Sequence, residues 1–379
     1  KMIMERNSKI FAVFFFILIE VMYGFELTFI RIPNGIYTIL LYASVFCFIC
    51  AVSMTKWTVS EAMRAIFMLI IALAVYISSK ESLYLLLMFA AIIMHCIDYK
   101  KALTTIFVMR LIILIIVITL SLFSVIPVNQ MIVSKGASGL ATGYGLGYIH
   151  PNDLAQAVFI LCIIYFCIKK KKINIQNWSI FLIVTLINYF VTKSRTIFIL
   201  SIFVLVELII QNKKMGQKVL KYGAIPLYIV VVLISLIIPY LYNEATGFLQ
   251  RVAFTLNGIL SGRFSDASML FQRFPITLFG QIVNTNILQY FYGYNVVDNG
   301  YVFLLFNYGI IGSFIILFMY FYTIKRLIKQ KEYIYLIAIL SFLILGMMEN
   351  AIRTVAVNFT MIFWYEFVRG HYKNIEPFY

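Results

Sequence analysis

Apolar stretches dominate this chain. Twelve can be marked off, at about 10–30, 36–53, 62–79, 82–97, 104–126, 153–168, 177–192, 196–211, 223–240, 301–322, 333–348 and 354–368. Each approaches the ~20 residues that a helix needs to cross the hydrocarbon of a bilayer. The pattern predicts an all-α, polytopic integral membrane helical bundle with about 12 transmembrane helices, forming one transmembrane domain over residues 1–379. The shorter stretches are expected to tilt or to lie inside the bundle. Composition agrees: 63% of the residues are hydrophobic, 12% are charged and the mean hydropathy is +0.96. A disordered chain, a cytosolic enzyme and a secreted disulfide scaffold are excluded by those figures.

The net charge of +16 suggests nucleic acid until the basic residues are placed. Most sit in short segments between the apolar stretches, where the positive-inside rule puts them, so no nucleic-acid partner is expected. With the N-terminus inside, 21 of the 31 basic residues are cytoplasmic, nine are outer and Arg110 lies within a span. Both termini are then cytoplasmic. Six of the nine outer residues are arginine (Arg31, Arg195, Arg251, Arg263, Arg273 and Arg353), against four of the 21 inner ones. Lysine suffices for orientation, whereas arginine suits bidentate binding of phosphate or carboxylate. The first span lacks a small-residue cleavage site after it and reads as an uncleaved signal anchor. All five cysteines lie in or at the edge of apolar spans, so no structural disulfide is expected, and no metal-ligand cluster is evident.

Two outer loops are long. Residues 127–152 form a glycine-rich loop, with Gly136, Gly139, Gly143, Gly145 and Gly147 close together. Such a run makes either a flexible loop or a backbone nest for an anion. It leads into His150-Pro151-Asn152-Asp153, an ordinary helix start in which His150 alone of the three histidines faces outward. Residues 241–300 form a second loop, whose apolar runs predict short helices on the membrane face.

Four groups of residues could carry chemistry. His150 and Asn152 are one. Lys193 and Arg195, in the short link Thr192–Thr196, are well placed for a lipid phosphate, or snorkel to the interface. Arg263 and Arg273 lie in the long loop, which ends in Asp298-Asn299-Gly300-Tyr301. There Asp298 is either a helix cap or a base for a sugar hydroxyl. Glu349 and Arg353 are four apart, the spacing of a local helical ion pair. Glu20, Glu26, Glu207 and Arg110 stand within or at the ends of spans, where charge is costly.

At these residues the chain resembles the bacterial O-antigen polymerase and ligase superfamily, most closely the Wzy-type polysaccharide polymerases. The resemblance rests on Gly147-Tyr-Ile-His150-Pro-Asn152, Ser194-Arg195-Thr196, Leu278-Phe279-Gly280, Asp298-Asn299-Gly-Tyr301 and Asn307-Tyr-Gly309-Ile-Ile-Gly312. Their order and spacing run from residue 147 to about 312. Ligase members tend to carry His-Asn where this chain has Asp298-Asn299.

The resemblance implies polymerisation of undecaprenyl-pyrophosphate-linked oligosaccharide repeat units into a capsular, exo- or O-antigen polysaccharide. The reaction is an inverting glycosyl transfer on the outer face of the bacterial cytoplasmic membrane, with no metal, cofactor or nucleotide sugar. Partners would be a lipid-linked glycan donor and acceptor, the bilayer, and a flippase and chain-length regulator of the same pathway. Arg195, Arg263, Arg273 and Arg353 would hold the pyrophosphate, with Lys193, Asn152, Asn299 and Tyr301 as further substrate contacts. Asp298 or His150 would be the base. A ligase of the same superfamily and a transporter or flippase of lipid-linked glycan are the alternatives.

Overall fold

The computed structural model describes residues 2–134, 140–170, 173–244, 246–259, 262–292, 297–355 and 357–370. Lys135, Gly136 and Gly139 of the glycine-rich loop, and His371 near the C-terminus, lie outside them. Among the described residues the chain is mostly helical, with almost no sheet. Seven helices are long and apolar enough to cross a membrane: α2 (Asn34–Ser53), α3 (Val59–Ser79), α5 (Tyr99–Leu122), α6 (Pro151–Lys169), α7 (Ile175–Thr192), α9 (Lys214–Glu244) and α13 (Gly300–Gln330). Two shorter apolar helices, α4 (Ser82–Ile93) and α14 (Tyr333–Met348), are buried on nearly every side. The expected short helices of the second loop are present as α10 (Gly247–Ile259), α11 (Arg263–Arg273) and α12 (Asn286–Tyr292).

The remaining expected spans differ from simple crossings. The first stretch becomes α1 (Met2–Tyr23), which starts earlier and ends sooner than its apolar run, and residues 196–211 become α8 (Arg195–Ile210). The last stretch, 354–368, is not a regular helix: irregular backbone leads into a 3-10 turn, Phe359–Trp364, and a short helix, α15 (Tyr365–Arg369). The glycine-rich loop contains an antiparallel hairpin, β1 (Gln130–Ser134) with β2 (Leu140–Tyr144), Gln130 facing Tyr144.

The apolar surface divides as lipid exposure requires. On α2, Ile36, Ile39, Tyr42, Phe46 and Ile49 are exposed at three- and four-residue steps, while Ser44, Cys47, Phe48 and Ala51 are buried. One stripe of the helix thus faces hydrocarbon and the other faces protein. The same spacing recurs on α3 (Met63, Ile66, Ile70, Leu73 and Ile77). α4, too short to span alone, packs between α2, α3 and the 3-10 turn, while α14 packs on α6, α8, α9 and α13.

Side-chain contacts sort the connections into two ends. At one end α1 meets α2, α3 meets α4, and the hairpin meets the α7–α8 turn; this is the hairpin end. At the other end Arg64 donates to the Val368 carbonyl, His95 bonds the Lys56 carbonyl and Lys170 pairs with Glu332.

Two irregular segments inside the bundle have specific supports. Irregular backbone at membrane depth needs partners within the protein. Arg110 of α5 supplies them: two of its nitrogens hold the Glu20 carboxylate of α1 at 2.9 Å, and it donates to the Val355 and Val357 carbonyls at 3.2 Å. Arg110 and Glu20 are 9% and 1% exposed, so each neutralises a charge that is costly alone. They are partners across 90 residues, not isolated charges. Further along, Tyr320 and Thr360 bond the Asn358 side chain.

The second irregularity is in α13, where Gly309 adopts φ 72° and ψ −178°. That conformation is essentially reserved for glycine. The break frees the amides of Ile310 and Ile311, which donate to Thr277 and Leu278. Gly280, at φ 85°, lies so close to the Asn307 carbonyl that a Cβ there would overlap it. Leu278–Gly280 and Asn307–Gly309 therefore interlock, and Ser78 of α3 ties down the Gly280 carbonyl at 2.6 Å.

Candidate active site

Four element ends converge at the hairpin end. His150 precedes α6 with extended backbone; its Nδ1 accepts from the Asn152 amide, and its own amide donates to Asp153 Oδ2, both at 3.0 Å. This reciprocal cap, with Pro151 in the first turn, fixes the start of the helix. It also directs the Asn152 side chain to Glu349, Nδ2 to Oε1 3.4 Å.

Glu349 follows the last residue of α14 in an extended conformation. Arg263 opens α11 after Gly262 at φ 89°. The start of α11 is set by Asn257, whose Oδ1 accepts from the amides of Phe264 and Ser265 at 3.0 and 2.9 Å. So placed, Arg263 reaches two carboxylates at once: Nη2 lies 3.1 Å from Glu349 Oε1, and Nη1 pairs with Asp298 Oδ2. All three side chains are 12–16% exposed.

Asp298 is held by its neighbour. Asn299 caps α13, with Oδ1 accepting from the Tyr301 and Val302 amides and Nδ2 donating to the Ser235 carbonyl of α9. Tyr301 donates its hydroxyl to the Leu343 carbonyl at 2.9 Å. Asn299 and Tyr301 are buried, and these bonds make them supports for the site.

The electrostatics follow from these placements. Asp298 and Glu349, when both ionised, outnumber Arg263. The starts of α6, α11 and α13 meet here, and their dipoles favour negative charge. Burial pushes the Glu349 carboxyl above its ordinary range, and Arg263 pulls it back in part. Burial pushes His150 below the usual imidazole value, and Arg263 adds to the effect. A carboxylate beside a guanidinium and an imidazole can exchange a proton with a hydroxyl brought against it. The fork of Arg263 is occupied by the two carboxylates; the other basic groups expected to contact phosphate lie elsewhere.

Those groups sit on separate elements. Lys193 ends α7 in a left-handed conformation, its ammonium 5.2 Å from the Phe190 ring. Arg195 is the first residue of α8 and is exposed. Gly143 of β2 packs against the Thr192 carbonyl and Pro151, so this turn abuts the start of α6. Arg273 is exposed at the far end of α11 from Arg263, about 15 Å along the helix. Arg353 lies 3.7 Å from Glu81, with its guanidinium over the Phe303 ring at 4.5 Å.

The local Glu349–Arg353 pair expected from spacing is replaced by Glu349–Arg263 and Arg353–Glu81. α14 stops at Met348, so residues 349–353 are not helical and the four-residue rule does not apply. Glu349 was singled out in the sequence as a partner of Arg353, and spacing concealed its place beside Arg263. Its signal was a carboxylate at the mouth of a fully apolar helix. Comparison with protein-family models, curated proteins and solved structures finds no match to this chain.

Proposed function

We propose that this chain polymerises undecaprenyl-pyrophosphate-linked oligosaccharide repeat units, as a multi-pass glycosyltransferase of the bacterial cytoplasmic membrane. The hairpin end faces outward and both termini face the cytoplasm. One observation carries the reading: Arg263 clasps Asp298 and Glu349 beside His150 and Asn152. Two sequence pieces that resemble polysaccharide polymerases thus share one buried acid–base cluster.

In this reading Asp298, oriented by Arg263, takes the proton of an acceptor sugar hydroxyl. The hydroxyl oxygen attacks the anomeric carbon of the donor from the side opposite the pyrophosphate. The bond from that carbon to the phosphate oxygen breaks, its electron pair stays on the pyrophosphate, and the configuration inverts. His150 is the second candidate base, but its Nδ1 is engaged by the helix cap, which favours Asp298. Arg195, Lys193 and Arg273 supply charge for the pyrophosphate. The test is a gel of lipid-linked glycans from cells lacking the protein, complemented with wild type or Arg195→Ala. The reading expects single units to build up in the deletion and a ladder with wild type only. A normal ladder in the deletion contradicts it.

A transporter of lipid-linked glycan is the second reading. It is favoured by the irregular backbone after Glu349, since transporters often place their sites at broken helices. Arg110, the charge at that break, is engaged with Glu20 and two carbonyls, which argues for support over transport. Single units reachable by a probe outside the cell favour a polymerase; units confined to the inner leaflet favour a transporter.

A further inference from the structure

A cavity of about 320 Å³ lies between the end of α1, the start of α2, the α3–α4 turn and the segment after α14. Its polar lining includes Glu26, Arg31, Glu81 and Arg353, with Tyr23 and Tyr37. The two arginines and two glutamates balance in charge, so the cavity is not built for a phosphate. Its charged lining equally disfavours an apolar ligand.

Arg353 is incompletely satisfied. It is 19% exposed, its nearest Glu81 oxygen is 3.7 Å away, and its buried Nε has no hydrogen-bond partner among the described residues. At 3.7 Å the pair attracts but does not hydrogen-bond. The Phe303 ring fixes the guanidinium from one face. Glu26 is set by the Thr354 hydroxyl at 2.9 Å, and the Tyr23 and Tyr37 hydroxyls bond each other at 2.5 Å. The volume is at the small end of ligand sites, the size for one ring-shaped molecule.

We propose that this cavity binds the acceptor's terminal sugar, a hydroxyl-rich ring without net charge. This rests on the polymerase reading and assigns Arg353 to sugar and not to pyrophosphate. Carboxylates accept from neighbouring hydroxyls, guanidinium groups donate to hydroxyl oxygens, and the tyrosine rings cover the ring's C–H face. The Arg353 guanidinium rests on Phe303, in the first turn of α13, the helix that begins just after Asp298. A sugar held by Arg353 would therefore lie beside the cluster that takes its proton.

The test uses full-length protein in detergent, with two probes: the lipid-free repeat-unit oligosaccharide released from the cell's own polysaccharide, and inorganic pyrophosphate. The oligosaccharide should bind wild type. Glu81→Gln and Arg353→Lys should weaken it by about tenfold or more and leave pyrophosphate binding unchanged. Tyr37→Phe, which keeps both charges, guards against misfolding and should weaken binding less. Unchanged oligosaccharide binding in both Glu81→Gln and Arg353→Lys, or loss of pyrophosphate binding alone, overturns the cavity proposal and leaves the polymerase reading standing. A normal ladder in deletion cells removes the polymerase reading itself; failure of wild type to bind the oligosaccharide then removes the cavity proposal too.

Discussion

Arg263 Nη2 lies 3.1 Å from Glu349 Oε1, joining the start of α11 to the end of α14 across 86 residues. The same guanidinium holds Asp298 at the mouth of α13. The second long loop is thereby pinned to the helix ends by charge as well as by apolar packing.

Removing that guanidinium should leave two nearly buried carboxylates without their counter-ion. Arg263→Ala is expected to lose about 3 kcal/mol of stability, a figure typical of a broken, largely buried pair. Arg263→Lys should recover part of it. Thermal unfolding in detergent measures both, and an Arg263→Ala protein as stable as wild type contradicts the clasp.

The shift of His150 gives a pH dependence with a definite sign. Its folded value lies below the ordinary 6.5, so the folded state binds fewer protons than the unfolded state. The corresponding stability is present above about 6.5 and is lost as pH falls toward the folded value. His150→Asn keeps a capping side chain and removes the titration. Its unfolding temperature should fall less than that of wild type on acidification below that point; parallel curves argue against burial of His150.

Arg110 and Glu20 should show strong coupling. Arg110→Leu strands a buried carboxylate and is expected to cost about 3–5 kcal/mol. Adding Glu20→Leu should restore part of the loss, because the stranded charge is gone. A double variant whose loss equals the sum of the single losses would show that the two charges act independently.

Glycine positions separate strain from ordinary helix propensity. Gly309→Ala forces a Cβ against the backbone of Leu278 and Gly280 in a conformation costing about 1–3 kcal/mol. Gly223 of α9 has open space around it, and Gly223→Ala should be neutral or gain up to about 1 kcal/mol. The two unfolding temperatures should move apart, and equal shifts would refute the close approach.

The bundle was legible because lipid exposure writes itself as apolar runs, visible along α2 and α3. Residues 354–368 show the limit of that signal. Hydropathy reports that a segment is apolar, but not whether its carbonyls are met by its own amides or by Arg110. Of the site, His150, Asn152, Arg263 and Asp298 stood out in the sequence and do come together. Glu349 stood out too, but with the wrong partner, because a pairing rule for helices was applied just past a helix end. The Glu20–Arg110 pair and the interlocking of Gly280 with Gly309 join residues far apart in the chain, and local spacing carries no trace of such contacts.

The carboxylates clasped by Arg263 are proposed to perform the proton transfer of lipid-linked glycan polymerisation. The most direct measurement is the glycan ladder in deletion cells complemented with Asp298→Asn or Glu349→Gln at wild-type protein levels. Asp298→Asn should leave single lipid-linked units and no ladder, and Glu349→Gln a shortened or fainter ladder. A wild-type ladder from Asp298→Asn contradicts the account.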